Sequence, residues 1–90
     1  MALLESTSRI VKDQSVCGGS PRIEGTRIRV MDVVEKYEFL EYSPNEVAEA
    51  FAISLAQVFS ALAYYYEHPE EIKEEMRAHE EFIEKLRHGQ

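Results

Sequence analysis

Beyond residue 30, apolar residues recur three and four positions apart, the spacing that lines one face of a helix. Val30, Val33, Val34 and Tyr37 set the first such face and predict a helix over residues 30–37, with Asp32 near its positive end. A connector over residues 38–42 follows. Ser43-Pro44-Asn45-Glu46 then opens a second helix: Ser43 caps, Pro44 suits the first helical position and Glu46 completes a capping box. Its apolar face is Val47, Ala48 and Phe51, and it stops around residues 52–53. Ser54-Leu55-Ala56-Gln57 repeats the capping pattern and opens a longer helix to about residue 67. The stripe expected to be buried there is Leu55, Val58, Phe59, Leu62, Tyr65 and Tyr66. A break of only about three residues between these two helices is a helix-turn-helix outline, with the residue 30–37 helix preceding it. His68-Pro69 ends the third helix, because the residue before proline avoids the helical region. Over residues 70–87, Ile72, Met76, His79, Ile83 and Leu86 alternate by four and three, a heptad seam.

The first thirty residues have no such period. Short β-branched pieces at residues 9–12 and 15–17 predict either a hairpin or two isolated extended segments. Residues 16–30 hold three of the four glycines, Gly18, Gly19 and Gly25, together with Arg22, Arg27 and Arg29. This predicts two tight turns around an extended piece at residues 21–24, with another at residues 28–30. The expected fold is mainly α. An arm with short β segments (residues 1–29) precedes a three-helix, helix-turn-helix-like core (30–67), and an acidic amphipathic helix follows (68–90).

Composition narrows the function. Ninety residues make one small domain, and 44% hydrophobic content fits a globular chain. Stability at this size can depend on a partner or a second copy. A single cysteine, Cys17, allows no internal disulfide and fits a reducing compartment. The start of the chain lacks the basic residues and apolar run of a signal peptide, and no stretch is apolar enough to span a membrane, so a cytoplasmic protein is expected. The net charge of −7 is unevenly spread. Residues 1–30 carry five basic and three acidic groups, a net of +2, whereas residues 31–90 carry five basic and fourteen acidic groups, a net of −9. That balance disfavours a strong nonspecific DNA binder and leaves room for a small basic face.

Three motifs together carry a family resemblance. They are Gly18-Gly19-Ser20-Pro21-Arg22-Ile23 followed by Gly25-Thr26-Arg27-Ile28-Arg29-Val30, then Ser43-Pro44-Asn45-Glu46, then Ala61-Leu62-Ala63-Tyr64-Tyr65. In these the chain resembles the bacterial and archaeal domain of unknown function 433 over about residues 9–75. The resemblance implies a homeodomain-like three-helix core. It also implies the antitoxin role in a toxin–antitoxin pair, with a ribonuclease-like toxin of the PIN type as partner, dimerisation, and repression of its own operon by DNA binding. Glu24 beside Arg22 lowers the positive potential that the arm would offer to nucleic acid.

Two surfaces are therefore candidates. The glycine-rich arm could hold a phosphate with backbone N–H groups and arginines, although no Gly-Lys-Ser/Thr follows to make a P-loop. Turn chemistry accounts for the same residues. Arg22, Arg27 and Arg29 are the nucleic-acid candidates, Arg22 and Arg29 as ligand-facing groups and Arg27 as the one best placed to pin the arm. On the third helix, Gln57 could pair adenine and Ser60 could touch phosphate, yet that helix holds no lysine or arginine. Tyr64 is expected on its exposed side. The second surface is the heptad seam of the last helix, packed either on its own core or on a partner, with Ile72, Met76, His79, Ile83 and Leu86 as contacts. Catalysis finds no support: Cys17 has no base near it in sequence and no His-x-x-x-His spacing occurs. No cofactor or metal is expected.

Overall fold

The computed structural model describes residues 8–89. Residues 1–7, read above as lacking a signal peptide, lie outside the described residues. Two short strands and four helices follow one another: β1 (Ile10–Val11), β2 (Arg22–Ile23), α1 (Val30–Val34), α2 (Pro44–Phe51), α3 (Leu55–Glu67) and α4 (Pro69–His88). The protein is mainly helical.

The arm is built from turns. β1 pairs antiparallel with β2, Ile10 opposite Ile23 and Val11 opposite Arg22. The strand at residues 9–12 thus pairs over a distance and makes no hairpin with residues 15–17. Asp13 instead closes a tight turn, its carbonyl accepting from the Val16 N–H at 2.8 Å, and Cys17–Gly19 forms one 3-10 turn. Gly25 sits at φ +81° in the turn that carries the chain out of β2, a conformation open to glycine without a side-chain clash. The Thr26 N–H and hydroxyl both donate to the Ile23 carbonyl, at 3.0 and 2.8 Å, and fix this turn. Ile23 itself is fully buried, so the arm is stitched into the core and does not hang free.

The helical boundaries follow the caps. Ser43 accepts from the Glu46 N–H at 3.1 Å, and Glu46 accepts from the Ser43 N–H at 2.8 Å. Ser54 and Gln57 repeat the arrangement at 3.1 and 2.8 Å. Each box satisfies two helix-end donors. Ala52 ends α2 in the left-handed conformation at φ 58°, and the chain turns by 111° into α3. The first helix runs further than its apolar period implied. Beyond α1 it widens into a π turn, Glu35–Phe39, closed by the Leu40 N–H on the Glu35 carbonyl at 3.0 Å. Lys36 lies over the rings of Tyr42 and Phe51, 5.3 and 5.6 Å from their centroids, which ties this turn to α2.

The core centres on α1. Val30, Val33 and Val34 are fully buried against α3 and α4, with Val47, Val58, Ala61, Leu62 and Tyr65 around them. Each such aliphatic side chain contributes about 1.5–3 kcal/mol on burial. The α3 stripe differs from the one expected. Val58, Ala61, Leu62 and Tyr65 are buried, whereas Leu55, Phe59 and Tyr66 are 40, 52 and 59% exposed. The apolar arc of α3 is wider than the strip α1, α2 and α4 can cover, and these three lie along its uncovered edge. Ala61, absent from the expected stripe, occupies the covered side of that arc.

No single described helix is long and apolar enough to cross a membrane.

Candidate functional site

The arginines of the arm divide in the opposite way to the expectation. Arg29 stands at the N-cap of α1, where its backbone N–H donates to Asp32 Oδ2 at 2.9 Å. Its guanidinium forks onto the same carboxylate, Nε to Oδ2 at 3.1 Å and Nη2 to Oδ1 at 3.0 Å. This bidentate bond to Asp32 raises the Arg29 pKa above its ordinary value. Arg22 reaches the Thr26 carbonyl through Nη1 at 3.1 Å and helps hold the Gly25 turn. Both guanidinium groups thus have partners within the fold. Arg27 is the exposed one, and its side chain has no hydrogen bond or ion pair among the described residues. Its carbonyl accepts from Cys17 Sγ at 3.6 Å, so the backbone is held while the guanidinium is available.

The α3 candidates are also occupied. Bidentate recognition of adenine needs both ends of the glutamine amide. Gln57 Oε1 is committed to the Ser54 cap. Ser60 is half-buried. Tyr64 is half-buried where exposure was expected, because its hydroxyl donates to Glu71 Oε1 at 2.8 Å. Lys12 meets the other oxygen of the same carboxylate at 2.8 Å. Glu71, on α4, thus joins the residue that follows β1 to α3. Burial alone would push its carboxyl up, but the hydrogen bonds from Lys12 and Tyr64 hold it below the ordinary value. Each of these positions has the chemistry of a ligand group. The i,i+3 spacing of Arg29 to Asp32 and of Ser54 to Gln57 was the signal that caps would claim them.

The family model described as "Protein of unknown function (DUF433)" matches residues 10–65, which hold the arm, α1, α2 and nearly all of α3. The chain belongs to the DUF433 family. Among solved structures, a DUF433 member protein from Anabaena variabilis is similar to it, with 30% identity and a TM-score of 0.68 over 76% of this chain and 67% of that one. No curated protein matches. The match to the DUF433 model ends before α4, so the last helix lies beyond the matched segment.

In this DUF433 chain α4 has two unlike halves. Ile72 is fully buried and Met76 packs against the core. Ile72 is therefore a core residue of its own chain, not a partner contact, because the start of α4 lies across α1 and α3. Beyond Met76 every described residue is exposed. Phe82 and Leu86 are 57 and 58% exposed, Ile83 is 36% exposed, and His79 stands among them. An open groove separates this outer half from α1 and the π turn; Met31, Phe39, Met76 and Ile83 line it, with Glu35 and Arg87 beside them. Arg77, at the groove, bridges Glu74 and Glu81 along the helix. Among the described residues no group of three or more His, Cys, Asp or Glu side chains could hold a metal ion.

Tyr66 donates its hydroxyl to Glu38 Oε2 at 2.6 Å, and that bond, with some desolvation, pushes the phenol up to about 12. The folded pKa exceeds the unfolded one, so the contact stabilises below about pH 10 and is lost as pH rises through about 12. Ultraviolet titration should show a late phenolate step near pH 12 that Tyr66→Phe removes. A titration unchanged by that substitution would contradict the contact.

Proposed function

We propose that this protein acts by contact, as the antitoxin of a two-protein pair, and that α4 docks on a PIN-type ribonuclease and holds it inactive. The observation that carries the reading is the division of α4. Its first turns are anchored by Ile72 and Met76, and its outer half presents Phe82, Ile83 and Leu86 uncovered, with Glu80, Glu81 and Glu84 beside them. A ribonuclease must offer a positive surface to its polyanionic substrate. Over residues 69–88 the helix carries seven acidic and four basic groups, and most of the excess lies in its first half, so the anchored turns complement such a surface in charge and the apolar outer half supplies a desolvated centre for affinity. On this reading α1–α3 are a homeodomain-like scaffold, supported by the 111° turn from α2 to α3, and α4 is the effector element.

The test is co-expression with the product of the neighbouring gene, followed by pull-down and a ribonuclease assay. Ile83→Asp and Leu86→Asp should each weaken capture and inhibition at least tenfold, with circular dichroism unchanged. Capture and inhibition equal to the starting protein would refute the reading.

Autoregulatory DNA binding is the second reading. The 111° turn and the exposed Arg27 guanidinium favour it. The lack of any lysine or arginine on α3 weighs against it, since phosphate neutralisation supplies most of the affinity of DNA readers.

A further inference from the structure

We infer that the glycine-rich arm is a strap. It fastens the first turns of α4 to the helical core through Glu71 and Glu75, and α4 lifts off as one unit about the His68–Pro69 corner when those bonds open. The inference is independent of the nuclease reading, which concerns what the outer half of α4 meets.

The apolar hold on α4 is small. Among its described residues Ile72 alone is fully buried, and Met76 packs partly against the core. One linking residue, His68, separates α3 from α4. The His68 N–H closes α3 on the Tyr64 and Tyr65 carbonyls at 2.9 and 3.1 Å, so α3 is complete before the corner. Pro69, the first residue of α4, has no N–H to carry the α3 ladder across. α4 can therefore leave without unwinding α3.

The remaining hold is polar, and most of it comes from the arm. Lys12, next after β1, pairs with Glu71 at 2.8 Å, and Tyr64 of α3 donates to the same carboxylate. Ser20, two residues before β2, donates its hydroxyl to Glu75. Glu71 and Glu75 stand four apart and share one face of α4. Lys12 and Ser20 flank the Cys17–Gly19 turn in the chain, so one loop grips α4 at two points a helical turn apart. Gly19, at φ +89°, takes the left-handed conformation that delivers Ser20 to Glu75. This gives the glycine pair of the arm a task that phosphate binding does not require.

The grip is of a kind that opens. The Lys12 and Glu71 side chains are 54 and 35% exposed, so solvent already competes for the pair. Glu75 Oε1 is buried without a hydrogen-bond partner among the described residues. A buried acceptor left unpaired costs free energy that hydration in the open seam would recover. Once off the core, α4 has only its own side-chain pairs, and a lone helix of this length frays in water. The amides of residues 72–76 therefore report the opening.

Amide hydrogen exchange of the full chain, read by mass spectrometry, tests this. Lys12→Ala combined with Ser20→Ala should speed exchange at residues 72–76 about fivefold or more, while α1 and α3 stay within about twofold of the starting protein. Lys12→Arg, which keeps the ion pair, should leave residues 72–76 unchanged. A smaller acceleration in the double variant overturns the strap. An equal acceleration of α1, α3 and α4 overturns it as well, since α4 would then open only with the whole domain.

Discussion

Ile72→Ala is expected to lower the unfolding free energy by about 2–5 kcal/mol, whereas Ile83→Asp on the same seam should lower it by no more than about 1 kcal/mol. The two isoleucines differ in cover, not in type: Ile72 is fully buried among α1 and α3, and Ile83 is 36% exposed over the groove. Removing three carbons from Ile72 leaves a void that its neighbours fill only in part. For a domain of this length that corresponds to a drop of about 10–30 °C in melting temperature. Thermal and urea denaturation followed by circular dichroism measure both. Equal losses from the two substitutions would mean that the seam is buried along its whole length. The same pair separates stability from contact, because Ile83→Asp should spare the fold and impair partner capture.

Asp32→Ala should cost about 1–3 kcal/mol. One carboxylate there accepts the Arg29 backbone N–H and both arms of its guanidinium, at 2.9–3.1 Å. Removal leaves an uncapped helix end at α1, whose valines form the centre of the core. Asp32→Asn should fall between the two, since an amide oxygen can still accept the backbone bond. Arg29→Ala should cost less than Asp32→Ala, because the cap itself survives. Denaturant titration of the three variants gives the ranking. If Arg29→Ala were silent in stability and instead flattened the salt dependence of nucleic-acid binding, its assignment as a structural arginine would fail.

These cases show what could be read before the fold was known. α2 and α3 begin where the two capping boxes put them, because a cap is local chemistry among four consecutive residues. α4 and its seam were legible from the four-and-three alternation. The covered edge of α3 was not, because periodicity gives the direction of an apolar arc and not the width its neighbours cover. Phe59, expected inside, is exposed for that reason, and Ala61, outside the expected stripe, is buried. The pairing of β1 with β2 was hidden as well, since two-residue strands eleven residues apart have no local signature. The arginines misled because their chemistry suits a phosphate and a helix cap equally. The i,i+3 spacing puts Arg29 within reach of Asp32 once α1 forms, whereas only the path of the backbone leaves Arg27 facing solvent.

The two-part construction of α4 also bears on how long the molecule lasts. About twelve helical residues past Met76 are exposed and pack little against the core, and a helix of that length is marginal alone in water. Those turns should exchange their amide protons quickly and be cut first by proteases, while the valine-centred core resists. Docking would shield the same turns. Persistence of the intact chain would then depend on the supply of whatever it holds, so that an excess of unengaged copies is trimmed back without any dedicated sensor.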